Sequence, residues 1–154
     1  MSNNPNTVND VGKLTHKHAG AADAHTVAAF RQRFRDWLNR HLELGSERFS
    51  DIVLSTDEAL TNCADHAYLA AECTGDMTLQ ATYHPITTEL EVCVTDHGRW
   101  IEPDPAAINA IRGRGILLMR ALTDDCTIEG TNDSTTVCLH FRNCPPKHRV
   151  SPVR

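Results

Sequence analysis

The stretch Leu54-Ser-Thr-Asp-Glu-Ala-Leu-Thr-Asn-Cys-Ala-Asp-His-Ala-Tyr68 decides how the rest of the chain is read. It contains neither proline nor glycine, so a helix runs through it unbroken. On that helix Glu58, Asn62 and His66 stand at i, i+4 and i+8 and point to nearly the same side. Val53, Leu60, Cys63 and Ala67 occupy the other side, which suits packing on a sheet. An amide oxygen is an acceptable hard ligand for Mg²⁺, and a carboxylate one turn away can take a proton from an attacking hydroxyl or water. Taken alone, the same three residues also suit the solvated face of an amphipathic helix. The remainder of the chain has to separate the two readings.

A length of 154 residues fits one domain with an adequate core, and 40% hydrophobic with 23% charged residues is ordinary globular composition. The formal net charge of -5 argues against a dedicated nucleic-acid binder, whose affinity rests on a basic patch meeting phosphates. The expected partners are proteins or small molecules. No apolar run reaches the length of a membrane span, and the polar start Met1–Asp10 has no signal-peptide pattern, so a cytoplasmic location is expected. The six cysteines include no Cys-x-x-Cys pair. Cys63, Cys93 and Cys138 fall where a small buried residue serves, which predicts reduced core thiols rather than a disulfide framework. Among the nine histidines, no second ligand pair stands at a spacing that completes a zinc site.

The composition predicts a disordered segment 1–12, a folded domain 13–142 and a flexible basic tail 143–154 that contains three prolines. A short extended piece is expected at Lys13–His18. Asp23 then caps a helix whose core face is Val27, Phe30, Phe34, Trp37, Leu38 and Leu42, with Gly45 as its end. Ser46 or Ser50 opens the second helix, which continues to about Ala70. After Gly75 the period changes to two: Met77, Leu79, Ala81 and Tyr83, then Leu90, Val92 and Val94, make a hairpin that runs into Asp96-His97-Gly98. Gly113-Arg114-Gly115 precedes the apolar run Ile116–Met119, a glycine-flanked turn opening a helix, where phosphates bind. Such a turn is also common for conformational reasons alone. Cys126 and Ile128, a turn at Gly130–Ser134 and the alternation through Val137, Leu139 and Phe141 make a closing hairpin.

Helix, helix, hairpin, loop, helix, hairpin, with Glu58-x-x-x-Asn62-x-x-x-His66, Asp96-x-Gly98, Gly113-x-Gly115 and Ser134-Thr135-Thr136-Val137 in that order, resembles one known group over about residues 23–142. This is the ATP-binding domain shared by gyrase-type ATPases, the ninety-kilodalton heat-shock chaperone class, histidine kinases and mismatch-repair proteins. Within it, the chain most resembles the small anti-sigma-factor serine-protein kinases. The resemblance implies an α+β fold: a two-layer sandwich whose mostly antiparallel sheet is covered on one face by about three helices.

For the site, the resemblance implies ATP and Mg²⁺ as cofactors. Asn62 would coordinate the metal, with His66 in the same nucleotide-binding helix. Asp96 would accept from the adenine amino group, Gly98 would let the backbone pass the ring, and Gly113 and Gly115 would face the phosphates. Thr135 or Thr136 would hydrogen-bond near the adenine. Glu58 matches the general base, and either Arg112 or Arg114 stands where an arginine meets the terminal phosphate. The chain departs from its relatives at Ser134, where they tend to have glycine. The short interval from Gly98 to Gly113 leaves little room for a long lid, which fits a small regulator better than a sensor kinase. The implied activity is a protein serine/threonine kinase that binds a sigma factor and phosphorylates an anti-sigma-factor antagonist, as a homodimer without direct contact to nucleic acid or membrane. The alternative is an ATP-binding module that sequesters a protein partner without phosphoryl transfer. A thiol- or metal-responsive regulator on the same fold is a third reading.

Overall fold

The computed structural model describes residues 12–69, 75–97, 115–131 and 134–147, with side chains in the second helix described through Asp65. The expected disorder of the first residues and the end of the tail lie outside these. Five strands form one sheet: β1 (Leu14–Ala21), β2 (Asp76–His84), β3 (Glu89–Asp96), β4 (Asp125–Gly130) and β5 (Thr135–Phe141). Their order is β1-β2-β3-β5-β4, and every neighbouring pair is antiparallel. Helices α1 (Ala24–His41) and α2 (Ser46–Leu69), together with helical residues 115–122 (α3), are the other elements among the described residues. The architecture is the expected α+β sandwich.

Period-two alternation decides which side of the sheet the helices cover. Met77, Leu79, Ala81 and Tyr83 of β2 and Leu90, Val92 and Val94 of β3 are buried, while the residues between them are not. The sheet therefore has one apolar face under the helices and one open polar face. From α1, Val27, Phe30, Phe34, Trp37 and Leu38 are all buried, as is Leu42 just after it, and α2 adds Ile52, Val53, Ala59, Leu60 and Cys63. Each such large apolar side chain contributes about 1.5–3 kcal/mol of burial free energy. Where α1 crosses β1 the backbones come close: a Cβ on Gly20 would lie 3.0 Å from the Thr26 methyl and 3.3 Å from the Phe30 ring. A larger residue there would have to displace those side chains by a few tenths of an ångström.

Asp23 caps α1 as expected, its carboxylate accepting from the Thr26 N–H at 2.7 Å. That hydrogen bond holds the Asp23 carboxyl below its ordinary range. The other end differs from the expected stop at Gly45. The helix closes at His41, and Leu42 turns to extended backbone with φ -116° and ψ 146°. The reason is a long-range bridge, since Leu42 pairs with Pro146, the Glu43 N–H donates to Pro145 O and the Lys147 N–H donates to His41 O.

The same bridge changes the reading of residues 143–147, expected as the start of a flexible tail. Cys144 is fully buried and its carbonyl accepts from the Tyr83 hydroxyl. Arg48 donates to the Arg142 carbonyl and to Asp124. Proline lacks a donor, yet its carbonyl is a full acceptor, so a proline pair can be pinned by donors supplied from elsewhere. Among the described residues, no helix is long and apolar enough to cross a membrane.

Candidate functional site

The site lies where α2 and α3 meet the β3–β5 ladder. Register sets its floor: Val94 pairs with Val137 and Asp96 with Thr135, and all four face the helices. Ala59, Asn62 and Cys63 of α2 form one wall, Ile116 and Met119 of α3 another, and Ile128 of β4 closes the side. The lining is apolar apart from Asp96, Asn62 and Thr135, a composition that suits a flat aromatic ligand with a few hydrogen-bonding edges. Asp96 is only 6% exposed at the end of β3, so its carboxylate is held inside a layer that is otherwise hydrophobic.

Glu58 and Asn62 stand one turn apart on α2 and are both half-buried. The N-terminal end of the described part of α3 abuts them. A Cβ on Gly115 would lie 3.0 Å from Asn62 Nδ2, 3.2 Å from Asn62 Oδ1 and 3.4 Å from Glu58 Oε2. The absence of a side chain there lets the α3 backbone approach the amide and the carboxylate closely. Burial pushes the Glu58 carboxyl above its ordinary value, and the negative charges of Asp57 and Asp65 push it further the same way. Asp57 itself pairs with Arg31 at 3.1 Å.

The structure thus brings Glu58, Asn62, Asp96, Gly115 and Thr135 to one place. Of the two threonines expected near the base, Thr136 lies elsewhere. Strand alternation turns it to the open face, where its hydroxyl meets that of Thr95 at 3.1 Å. Gly98, Arg112, Gly113, Arg114 and the His66 side chain lie outside the described residues. Sequence reasoning did not single out Val94, Val137, Ile116, Met119 or Ile128 as site residues. Parity along the strand was the available signal, because Val94 shares its face with Asp96 and Val137 with Thr135.

One expectation about the cysteines is overturned. Cys93 and Cys138 are not core thiols: they sit opposite each other on the open face of β3 and β5 and form a disulfide. Residues 92 and 94 are the buried ones, so residue 93 must point away from the helices. Cys63 is buried against the sheet, as expected.

The donor set fits Mg²⁺ and ATP. An amide oxygen at the pocket wall is a suitable hard ligand, a buried carboxylate at the end of an apolar slot suits an exocyclic amine, and Gly115 lets the backbone of α3 come close to the amide. Among solved structures, the RsbU and RsbW domains of Rv1364c from Mycobacterium tuberculosis share this fold, with a TM-score of 0.65 at 20% identity. The match covers 90% of this chain and 35% of that one, so the chain spans about a third of that protein's crystallised length. No curated protein matches the sequence. The family profile described as the histidine kinase-like ATPase domain matches residues 20–141. The chain belongs to the histidine kinase-like ATPase domain family.

Proposed function

We propose that this protein binds Mg-ATP in the pocket between α2 and the β3–β5 floor, transfers a phosphoryl group to a serine or threonine of an anti-sigma-factor antagonist, and sequesters a sigma factor. The carrying observation is the meeting of Glu58, Asn62 and Gly115 beside an apolar slot that ends on buried Asp96. The family membership and the fold shared with an RsbW-containing chain support the same reading.

In this reading Asp96 accepts from the adenine amino group and Thr135 donates or accepts beside it. The apolar walls exclude water from the ring. Asn62 turns its amide oxygen to Mg²⁺, which neutralises charge on the phosphates when bound. Glu58 takes the proton of the attacking hydroxyl. Its raised affinity for protons makes it a stronger base than an exposed carboxylate. Arg112 or Arg114 meets the terminal phosphate, Gly98 and Gly113 line the nucleotide, and His66 adds to the same helix face. Cytoplasmic location and homodimerisation belong to this proposal.

Calorimetric titration with Mg-ATP, beside Asn62→Ala and Asp96→Asn, tests the pocket. Binding by the parent that needs Mg²⁺ and falls at least about thirtyfold in each variant is expected, since each loses a polar contact worth roughly 2 kcal/mol. No binding by the parent would remove the nucleotide from the reading. Labelled phosphate on a co-encoded antagonist, lost in Glu58→Ala, is expected in turn; binding without transfer would leave the sequestering module.

A further inference from the structure

The floor of the pocket consists of two cross-strand pairs, Val94 with Val137 and Asp96 with Thr135. The next pair along the same ladder is Cys93 with Cys138, whose Cα atoms are 4.1 Å apart. The two cysteines belong to the backs of the strands whose fronts line the pocket. Around them, the open face of β3 and β5 is a ladder of polar pairs. Thr95 meets Thr136 on one side, and on the other His140 lies 3.9 Å from Glu91. Both cysteines are partly exposed on this face, so a soluble thiol or disulfide can reach them without opening the core.

We propose that Cys93 and Cys138 form a thiol–disulfide switch set under the nucleotide pocket, and that oxidation tightens nucleotide binding. The proposal rests on the ATP-binding reading above. In the reduced protein only backbone hydrogen bonds and side-chain pairing hold β3 beside β5 at this point. The covalent bond fixes the register and spacing of the strands one pair away from Val94 and Val137. The floor is then pre-organised before ligand arrives, which reduces the ordering cost of binding.

The oxidant is a low-molecular-weight disulfide. The thiolate of one cysteine attacks a sulfur of the small disulfide, forming a mixed disulfide and expelling one small thiolate. The thiolate of the second cysteine attacks the protein sulfur of the mixed disulfide. The Cys93–Cys138 bond closes and a second small thiolate leaves. The two protons lost by the cysteines end on the two released thiols; the protein is oxidised by two electrons and the small disulfide is reduced by two.

The test uses the full chain equilibrated in glutathione buffers of graded ratio, with free thiols counted after denaturation and Mg-ATP affinity measured by calorimetry in each form. Oxidation is expected to remove the two thiols of Cys93 and Cys138 and to tighten binding about three- to tenfold through pre-organisation. Linkage then requires saturating Mg-ATP to shift the half-oxidation ratio by the same factor, a readout that does not depend on turnover. Cys93→Ser and Cys138→Ser should each bind as the reduced parent does in every buffer, which separates the pair from Cys63 in the pocket wall. Equal affinity in the two forms within about twofold, weaker binding when oxidised, or a pair that stays reduced across all ratios would overturn the switch alone. Absence of Mg-ATP binding in both forms would overturn the nucleotide reading and the switch with it.

Discussion

The two ends of the helical layer are built differently. At the β1 end, α1 lays Phe30, Phe34 and Trp37 over the sheet, and even the polar residues there are absorbed into the packing. His16 sits 5.5 Å from the Trp37 ring and 6.2 Å from that of Phe34, and His18 lies 5.7 Å from Phe30. Burial, together with the charges of His18, Arg33 and Arg40, pulls the His16 imidazole down to about 4, so it stays neutral at physiological pH. At the β5 end, α2 and α3 leave a slot instead. Carboxylates and an amide stand inside the layer, and burial drives Glu58 toward its protonated form. One end gains stability from apolar contact, while the other accepts polar groups into the layer at a cost in desolvation.

The largest expected effect breaks the packed end. Phe34 is fully buried, and Phe34→Ala should lower unfolding free energy by about 3–5 kcal/mol in chemical denaturation. A loss below about 1 kcal/mol would mean that the aromatic cluster does not anchor the fold. Gly115→Ala is directed at the other end. The added methyl group would press on Asn62 and Glu58 at 3.0–3.4 Å, and nucleotide affinity should fall about tenfold, or about 1.4 kcal/mol. Stability should change by less than about 1 kcal/mol, because the better helix propensity of alanine offsets the crowding. A parallel fall in both quantities would mean that the two ends are not separable.

The smallest effect sharpens the contrast through pH. The folded-state pKa of Glu58 is raised, so its contribution to stability is fully present below its ordinary value of 4.5 and is lost as pH rises through the higher folded value. Above that folded value the ionised carboxylate therefore costs stability. Glu58→Gln should be slightly more stable than the parent at pH 7 and should lose that advantage near pH 4, while transfer is abolished. Equal stability across that range would mean that Asp57, Asp65 and burial do not act on Glu58 as the geometry indicates.

Much of this contrast was legible in the residues. The helical spacing of Val27, Phe30, Phe34, Trp37, Leu38 and Leu42 marked the packed end without ambiguity, because six apolar residues on one stripe have no other use. The alternation of β2 and β3 placed Asp96 at a strand end with equal clarity. The threonine pair was harder. Thr135 and Thr136 are chemically the same, and only the register of β5 against β3 turns one into the pocket and the other onto the open face. The helix stop at Gly45 and the loose tail from Asn143 were misread for a shared reason. Both depend on hydrogen bonds between residues 41–43 and 145–147, which lie a hundred positions apart in the chain.

The sequence by itself determined the element order, the inward faces of helices and strands, and the residue types of the candidate site, because periodicity and local chemistry are properties of near neighbours. Tertiary structure alone decided which residues stand opposite one another. Cys93 and Cys138 are separated by 45 positions; strand parity turns Cys93 to the open face, but only the ladder sets it opposite Cys138. Pairing across strands is set by register over the whole sheet, so the chemistry that depends on it exists only once the chain has folded.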